Sequence, residues 1–178
     1  MRSTASPRAG ESGMRDFMNV FPSGVSVVAA YCPDTGPRGL TCSSLTSVTL
    51  SPPTIVVCIR TASRTLRAAL VSGRFALNLL HERASRASAL FASGAADRFD
   101  KIEWQLPAGA CGPHLTADSH AIADCAVTDT VRVGDHTAVF AEVRRISLRN
   151  DAEPLLYGRR RYARWSDATS VPPPHAAR

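Results

Sequence analysis

The sequence predicts a mainly β chain, an antiparallel barrel closed on itself and carrying a few short helices. Three observations lead there. Short β-branched apolar runs bounded by proline and glycine recur, as in residues 25–30 (VSVVAA) and 54–59 (TIVVCI). The helical patterns between such runs are brief. The last third holds two long strand-like segments, 121–131 and 137–146, joined by a tight turn at Gly134-Asp135. This order does not describe the alternating β-α units of a parallel sheet.

Residues 1–13 lack hydrophobic periodicity and are expected to form a disordered leader. One domain is expected over 14–166, and 167–178, with its run of three prolines, as a disordered tail. The domain opens with a helix: Met14, Phe17, Met18 and Phe21 fall at i, i+3, i+4 and i+7, and Pro22 stops it. Strand 25–30 follows. Residues 41–50, rich in Thr, Ser and Val, suit an exposed or site-lining strand before 54–59. Ser63 is a good N-cap for a short helix, and Gly73 lies just past its end. In 75–80, Phe75, Leu77 and Leu79 alternate with Ala76, Asn78 and Leu80, a strand pattern. A second helix is expected over 83–92 with Ala87, Leu90 and Phe91 inward, and the two long strands close the domain.

At 178 residues the chain is long enough for one real core, and 44% apolar residues exclude wholesale disorder. No apolar stretch approaches the ~20 residues that span a bilayer, so no membrane partner is expected. The N-terminus has no apolar signal region, which makes a cytoplasmic location the expectation. Five cysteines, an odd number without Cys-x-x-Cys spacing, read as reduced thiols. Cys111-x-x-His114 lacks the second ligand pair of a zinc site. The net charge is +6, nearly all from arginine, since Lys101 is the only lysine. The basic residues are scattered except at 158–162 (GRRRY), a composition that attracts anions such as nucleotide phosphates. A nucleic-acid surface also needs exposed aromatic rings, and 6% aromatic residues leave few for that purpose, so no nucleic acid is expected.

The chain lacks G-x-G-x-x-G, a Walker pattern, H-E-x-x-H and G-x-S-x-G, and its carboxylates are sparse. That pattern points away from hydrolysis and toward a cofactor that brings its own reactivity. The densest polar segment is 39–47 (GLTCSSLTS), with hydroxyls at Thr41, Ser43, Ser44, Thr46 and Ser47. It fits either a Thr/Ser-rich edge strand or the hydrogen-bonding edge of a flat polar heterocycle. Cys58, Ile59, Arg60, Ser63, Arg64 and Thr65 carry a strand into a helix start, either a capped helix with solvated arginines or a phosphate cradle. Arg98, between Asp97 and Phe99, could pair with phosphate or with a surface carboxylate. His136 follows the tight turn, where a neutral imidazole could bind a ligand or simply face solvent.

These segments in this order resemble the flavin reductase family of the FMN-binding split barrel, the small NAD(P)H:flavin oxidoreductases of two-component monooxygenases. The matching stretches are FMNVFPSGVSVVAA (17–30), GLTCSSLTSVTLSPPTIVVCI (39–59), Ser63-Arg64-Thr65 and GRFALNLL (73–80). Asp97-Arg98-Phe99, Asp124-Cys125, Gly134-Asp135-His136 and Pro154-Leu155-Leu156-Tyr157 extend the resemblance over about 14–165. It departs at Lys101 and Ala141, where glycine is common in the family. The resemblance implies a Greek-key split barrel that binds FMN or FAD and oxidises NADH or NADPH. It places Thr41, Cys42, Ser43 and Ser44 on the isoalloxazine, and Cys58 to Thr65 on the ribityl chain and phosphate, Ser63 and Thr65 directly. Phe91, Arg98 and Phe99 are expected to close over the flavin, and His136, with Tyr157 or Tyr162, to meet the nicotinamide nucleotide. It further implies a homodimer and a separate flavin-dependent monooxygenase or halogenase that accepts the reduced flavin. A split-barrel protein that holds FMN without turnover is the alternative.

Overall fold

The structure, a computed structural model, describes residues 10–168. In chain order the elements are α1 (Glu11–Asn19), β1 (Ser23–Gly24), β2 (Ser26–Cys32), β3 (Gly36–Cys42), β4 (Thr46–Leu50) and β5 (Pro53–Arg60). Then come α2 (Arg64–Ser72), β6 (Arg74–Leu80), α3 (Ser85–Ala92), a 3-10 turn (Arg98–Asp100), β7 (Ser119–Val133) and β8 (His136–Leu148). The chain finishes with β9 (Leu155–Gly158), β10 (Arg161–Arg164) and α4 (Trp165–Ala168). Seven strands form one antiparallel sheet in the order β3-β2-β6-β7-β8-β5-β4. Its two edges, β3 and β4, are consecutive in sequence, so the sheet curls until they meet at Ser43–Ser44–Leu45. The mainly β antiparallel barrel expected from the sequence is therefore present, with its split at that short break. A second sheet, β1-β9-β10, had no counterpart in the sequence reading.

β2 explains the layering. Val28 and Ala30 face the barrel core with Val57, Ile59, Phe75, Leu77 and Val139, whereas Val27 and Ala29 face outward. The outward side is covered by α3 and the 101–118 segment, giving a second core of Phe91, Phe99, Leu115 and Leu155. A strand buried on both faces loses the alternation of a half-exposed one and reads as a continuous apolar run. The 101–118 segment is pinned by two buried polar residues. Asn78 donates to the carbonyls of Val27 and Pro113 and accepts from the Leu115 amide. Asp124 accepts from the Cys111 amide at 2.6 Å, His114 Nε2 at 3.0 Å and the Arg145 guanidinium at 2.7 and 2.8 Å. Gly112 passes so close to the sheet that a Cβ would stand 2.1 Å from the Ala29 carbonyl oxygen.

The expected α2 is bounded as read: the Ser63 hydroxyl accepts from the Thr65 and Leu66 amides, and Gly73 ends the helix at φ +68°. Three expectations change. The 41–50 segment is the end of β3, a break and β4, because the two sheet edges must part there. In α3, Ser88 rather than Leu90 is buried beside Ala87 and Phe91. The first helix begins at Glu11, inside the expected leader; the rest of that leader and most of the expected tail lie outside the described residues. No residue of α1 is buried, and Met14, Phe17 and Met18 are 54%, 68% and 45% exposed. All five cysteines are free, four of them within strands. Among the described residues no helix is long and apolar enough to cross a membrane, and no acidic, His or Cys cluster could hold a metal.

Candidate functional site

The split in the barrel opens two adjoining clefts, and Ser43 and Ser44 line both. The first, about 750 Å³, is walled by Thr41, Cys42, Ser43, Ser44, Cys58 and His136, with Met14, Arg15 and Met18 of α1 across from them. The second, about 700 Å³, runs from Arg15 and Met18 past Ser43, Ser44 and Thr46 to Tyr157 and Arg160. A smaller cavity of about 230 Å³, lined in part by Ser26, Ser43 and His120, lies behind.

The hydroxyls of the polar segment have separate employments. Thr41 Oγ1 donates to the Ser88 carbonyl of α3 at 2.6 Å. Ser44 Oγ is 2.9 Å from both the amide nitrogen and the carbonyl oxygen of Cys58, and 3.1 Å from Cys42 Sγ. It ties β3 to β5 across the split. Ser43 and Thr46 are both exposed and no hydrogen bond engages either hydroxyl among the described residues; of the two, only Ser43 lines both clefts, which leaves it free to meet a ligand. Residues 43–45 also lie outside the β ladder, which leaves their backbone groups unspent by the sheet. Cys42 lines the cleft yet is 5% exposed; burial pushes its thiol pKa up against the lowering effect of Ser44.

His136 reaches the same cleft because β5 and β8 pair in register, placing it opposite Arg60. The turn is fixed by the Thr61 amide on the Asp135 carbonyl at 2.9 Å and by a 3.0 Å contact between the Thr61 and Thr137 hydroxyls. His136 Nδ1 lies 2.7 Å from Asp135 Oδ1, and this hydrogen bond holds the Asp135 carboxyl below the usual carboxylate range. Nε2 is left as the ring nitrogen for a ligand.

Other expected site residues sit elsewhere. Ile59 and Thr65 are 2% and 3% exposed, so their side chains pack inside and line neither cleft. Ser63 is occupied by its own helix cap. Phe91 and Phe99 pack edge to face, 5.1 Å between centroids, within the second core and do not close over the cleft. Their rings fill the space a side chain at Gly39 would need, so they brace β3 from behind. Arg98 is drawn to that packing: its Nη1 donates to the Gly39 and Phe91 carbonyls and its Nε to the Ala95 carbonyl. Burial first, then the neighbouring Arg38 and Arg64, hold its pKa below the ordinary arginine value. These arginines and the first turn of α2 form a positive region suited to phosphate, and none of the three arginines lines either cleft. Tyr157 lines the second cleft, while Tyr162 packs on it at 5.4 Å and donates from its hydroxyl to Ser88 Oγ.

Met14, Arg15 and Met18 of α1 and Arg38 were not among the expected site residues, and Arg160 was read only as part of the basic 158–162 run. The apolar stripe was read from periodicity, but the structure leaves it unburied, with Met14 and Met18 lining the clefts.

The comparisons agree with this architecture. Residues 18–166 match the model of the flavin reductase like domain. A flavin reductase (NADPH) of Lentzea aerocolonigenes is 45% identical over 152 residues, covering 85% of this chain and 88% of that protein. A flavin reductase (NADH) of Kitasatospora aureofaciens is 43% identical, covering 84% and 78%. Among solved structures, a Streptomyces globisporus NADH:FAD oxidoreductase in complex with NAD and FAD fragments superposes with a TM-score of 0.83 at 28% identity, covering 91% and 96%. Reductase subunits of flavin-dependent monooxygenases are also among the relatives. With its split barrel, its hydroxyl-lined cleft and a domain match over most of its length, the chain belongs to the flavin reductase family.

Proposed function

We propose that the protein is an NAD(P)H:flavin oxidoreductase that moves a hydride from the nicotinamide to FMN or FAD and supplies reduced flavin to a partner monooxygenase or halogenase. The observation that carries this reading is the first cleft, where Thr41, Ser43, Ser44 and His136 face one space of about 750 Å³. The fit to a flavin rests on the chemistry of these donors: short hydroxyl and peptide groups along one wall, apolar Met14 and Met18 on another. When bound, the flavin supplies the hydride acceptor and the conjugated ring that takes up charge. Ser43 and the peptide groups of 43–45 hold its polar edge. The field of Arg38 and Arg64 attracts its phosphate. His136 offers Nε2 to the nicotinamide nucleotide, and α1 narrows the space so that the two rings are aligned.

A homodimer and a cytoplasmic location complete the reading. The apolar stripe of α1 supports the dimer. A nine-residue helix with no buried residue is marginal alone, and a second copy would cover Phe17 and Phe21 while enclosing the clefts. The test is loss of nicotinamide absorbance with NADH or NADPH and each of FMN, FAD and riboflavin. Saturable, flavin-dependent loss is expected. Tight flavin binding without any loss would turn the reading to a flavin-holding protein.

A further inference from the structure

The Arg159-Arg160 turn joins β9 to β10 as a two-residue hairpin, since Gly158 pairs with Arg161. Both central residues have positive φ, 51° and 60°, the pattern of a type I′ turn. Such positions favour Asn and Gly, and a long β-substituted side chain at either is disfavoured. They are the only non-glycine residues at positive φ among the described residues. A local rule broken twice in succession, both times by arginine, is a pattern met where the side chains serve a ligand.

The turn is held in place from below. The Arg159 amide donates to the Asn19 carbonyl at the end of α1 at 2.7 Å, and Gly158 lies against Pro22, where a Cβ would be 3.1 Å from the proline ring. This clamps the turn to the helix that carries Arg15. Arg15 and Arg160 then line the same cleft of about 700 Å³, with Ser43, Ser44 and Tyr157 between them. No ion pair joins Arg160 to a described carboxylate, and Arg15 pairs only with exposed Glu11 on its own helix, a partner it can readily exchange. Through Ser43, Ser44, Arg15 and Met18 this cleft is continuous with the one that holds His136.

We propose that this cleft takes the 2′-phosphate of NADPH, and that Arg160, assisted by Arg15, sets the nicotinamide preference toward the phosphorylated nucleotide. The inference rests on the reductase reading for its context, but not for its test. A phosphate monoester between two guanidinium groups gains charge-assisted, often bidentate hydrogen bonds, and NADH lacks the group that would make them. Tyr157 offers a ring face beside the site for the attached adenine.

The experiment is calorimetric titration of the intact protein with 2′,5′-ADP and with 5′-AMP, repeated on Arg160→Ala and Arg160→Lys, alongside kcat/KM for NADPH and NADH. The wild type is expected to bind 2′,5′-ADP at least about tenfold more tightly than 5′-AMP, the worth of one charge-assisted contact. Arg160→Ala should remove most of that difference and lower kcat/KM for NADPH several-fold more than kcat/KM for NADH, while Arg160→Lys keeps part of it. Equal affinity for the two nucleotides in the wild type, or a preference that survives Arg160→Ala, overturns the proposal while leaving the reductase reading intact. So does an Arg160→Ala variant that loses turnover with FAD but not FMN and keeps its nucleotide preference, because the arginine then serves the flavin dinucleotide. A wild type that binds 2′,5′-ADP through Arg160 yet oxidises neither nucleotide would sustain the site and defeat the reductase reading instead.

Discussion

The hydroxyl of Ser44 stands where a strand partner would: its Oγ is 2.9 Å from the amide nitrogen of Cys58 and 2.9 Å from the same residue's carbonyl oxygen. One side chain thus satisfies two backbone groups at the split of the barrel, beside Ser43, whose own hydroxyl faces the clefts. Adjacent serines of identical chemistry therefore differ: Ser44 holds the fold, and Ser43 is the one proposed to meet the ligand.

The division is measurable. Ser44→Ala leaves both Cys58 backbone groups without this partner and should lower unfolding stability by about 1–2 kcal/mol. Ser43→Ala should stay within about 0.5 kcal/mol of wild type, as surface substitutions do, and raise the KM for flavin instead. Urea denaturation and steady-state kinetics on the two variants check this, and equal stability losses would remove the distinction.

Behind the same strand, Gly39 leaves room for aromatic rings. A Cβ there would stand 2.8 Å from Phe91 Cε1 and 3.1 Å from Phe99 Cζ. Gly39→Ala should cost about 1–3 kcal/mol through overpacking. Shortening the obstructing ring with Phe91→Leu should recover part of that loss, so the double variant is more stable than the sum of the single effects implies. Strict additivity in denaturation experiments would show that the rings are not what excludes a side chain.

Much of this was legible in the chain, and the exceptions share a cause. β2, β5, β7, β8 and α2 follow from local signals: β-branched runs, the Gly134-Asp135 turn, and a serine cap with a glycine stop. The clustering of Thr41, Cys42, Ser43, Ser44, Cys58 and His136 was likewise expected, through the resemblance. Phe91, Phe99 and Thr65 sit outside the clefts because their surroundings are set by tertiary packing, which neither spacing nor composition encodes. Arg15 and Arg160 were missed as a pair because the Arg159 amide and the Asn19 carbonyl unite segments far apart in sequence. β1 and β9 escaped notice for the same reason, each being too short to show a period.

The exposed stripe of α1 gives a further expectation. Phe17 on α1 and Phe21 just beyond its end are 68% and 66% exposed, an apolar patch that the proposed second copy would cover. Sedimentation velocity should report a species of twice the 19.0 kDa chain mass. Phe17→Glu combined with Phe21→Glu should shift it toward the monomer and weaken flavin binding with it, since α1 walls both clefts. A monomeric wild type at micromolar concentration would reject the dimer.

Acid stability should report on Asp124. Burial alone would raise its carboxyl pKa, but hydrogen bonds from the Cys111 amide, His114 and Arg145 outweigh it, and the pKa lies below the ordinary value. A carboxylate whose folded pKa is depressed stabilises the fold above its unfolded value, about 3.9, and that contribution is lost as pH falls through the folded value. Stability of the wild type should therefore drop below about pH 4. Asp124→Asn should be less stable by about 1–3 kcal/mol at neutral pH and should show a shallower decline in that acid window. Parallel pH profiles for the two proteins would exclude Asp124 as the source.

His136 is the residue whose role kinetics can isolate. Its ring is partly exposed and lines the cleft, its Nδ1 is engaged by Asp135, and no described residue engages Nε2, so its removal should spare the fold. His136→Ala should leave the thermal midpoint unchanged and raise the KM for the nicotinamide nucleotide roughly 2–10-fold, the worth of one hydrogen bond. The KM for flavin should move little, because Ser43 and the 43–45 backbone carry that contact. Asp135→Asn should give a smaller change in the same direction, since it disturbs only the orientation of the ring. If the flavin KM rises and the nicotinamide KM does not, the imidazole belongs to the flavin half of the cleft and the assignment of the two walls must be exchanged.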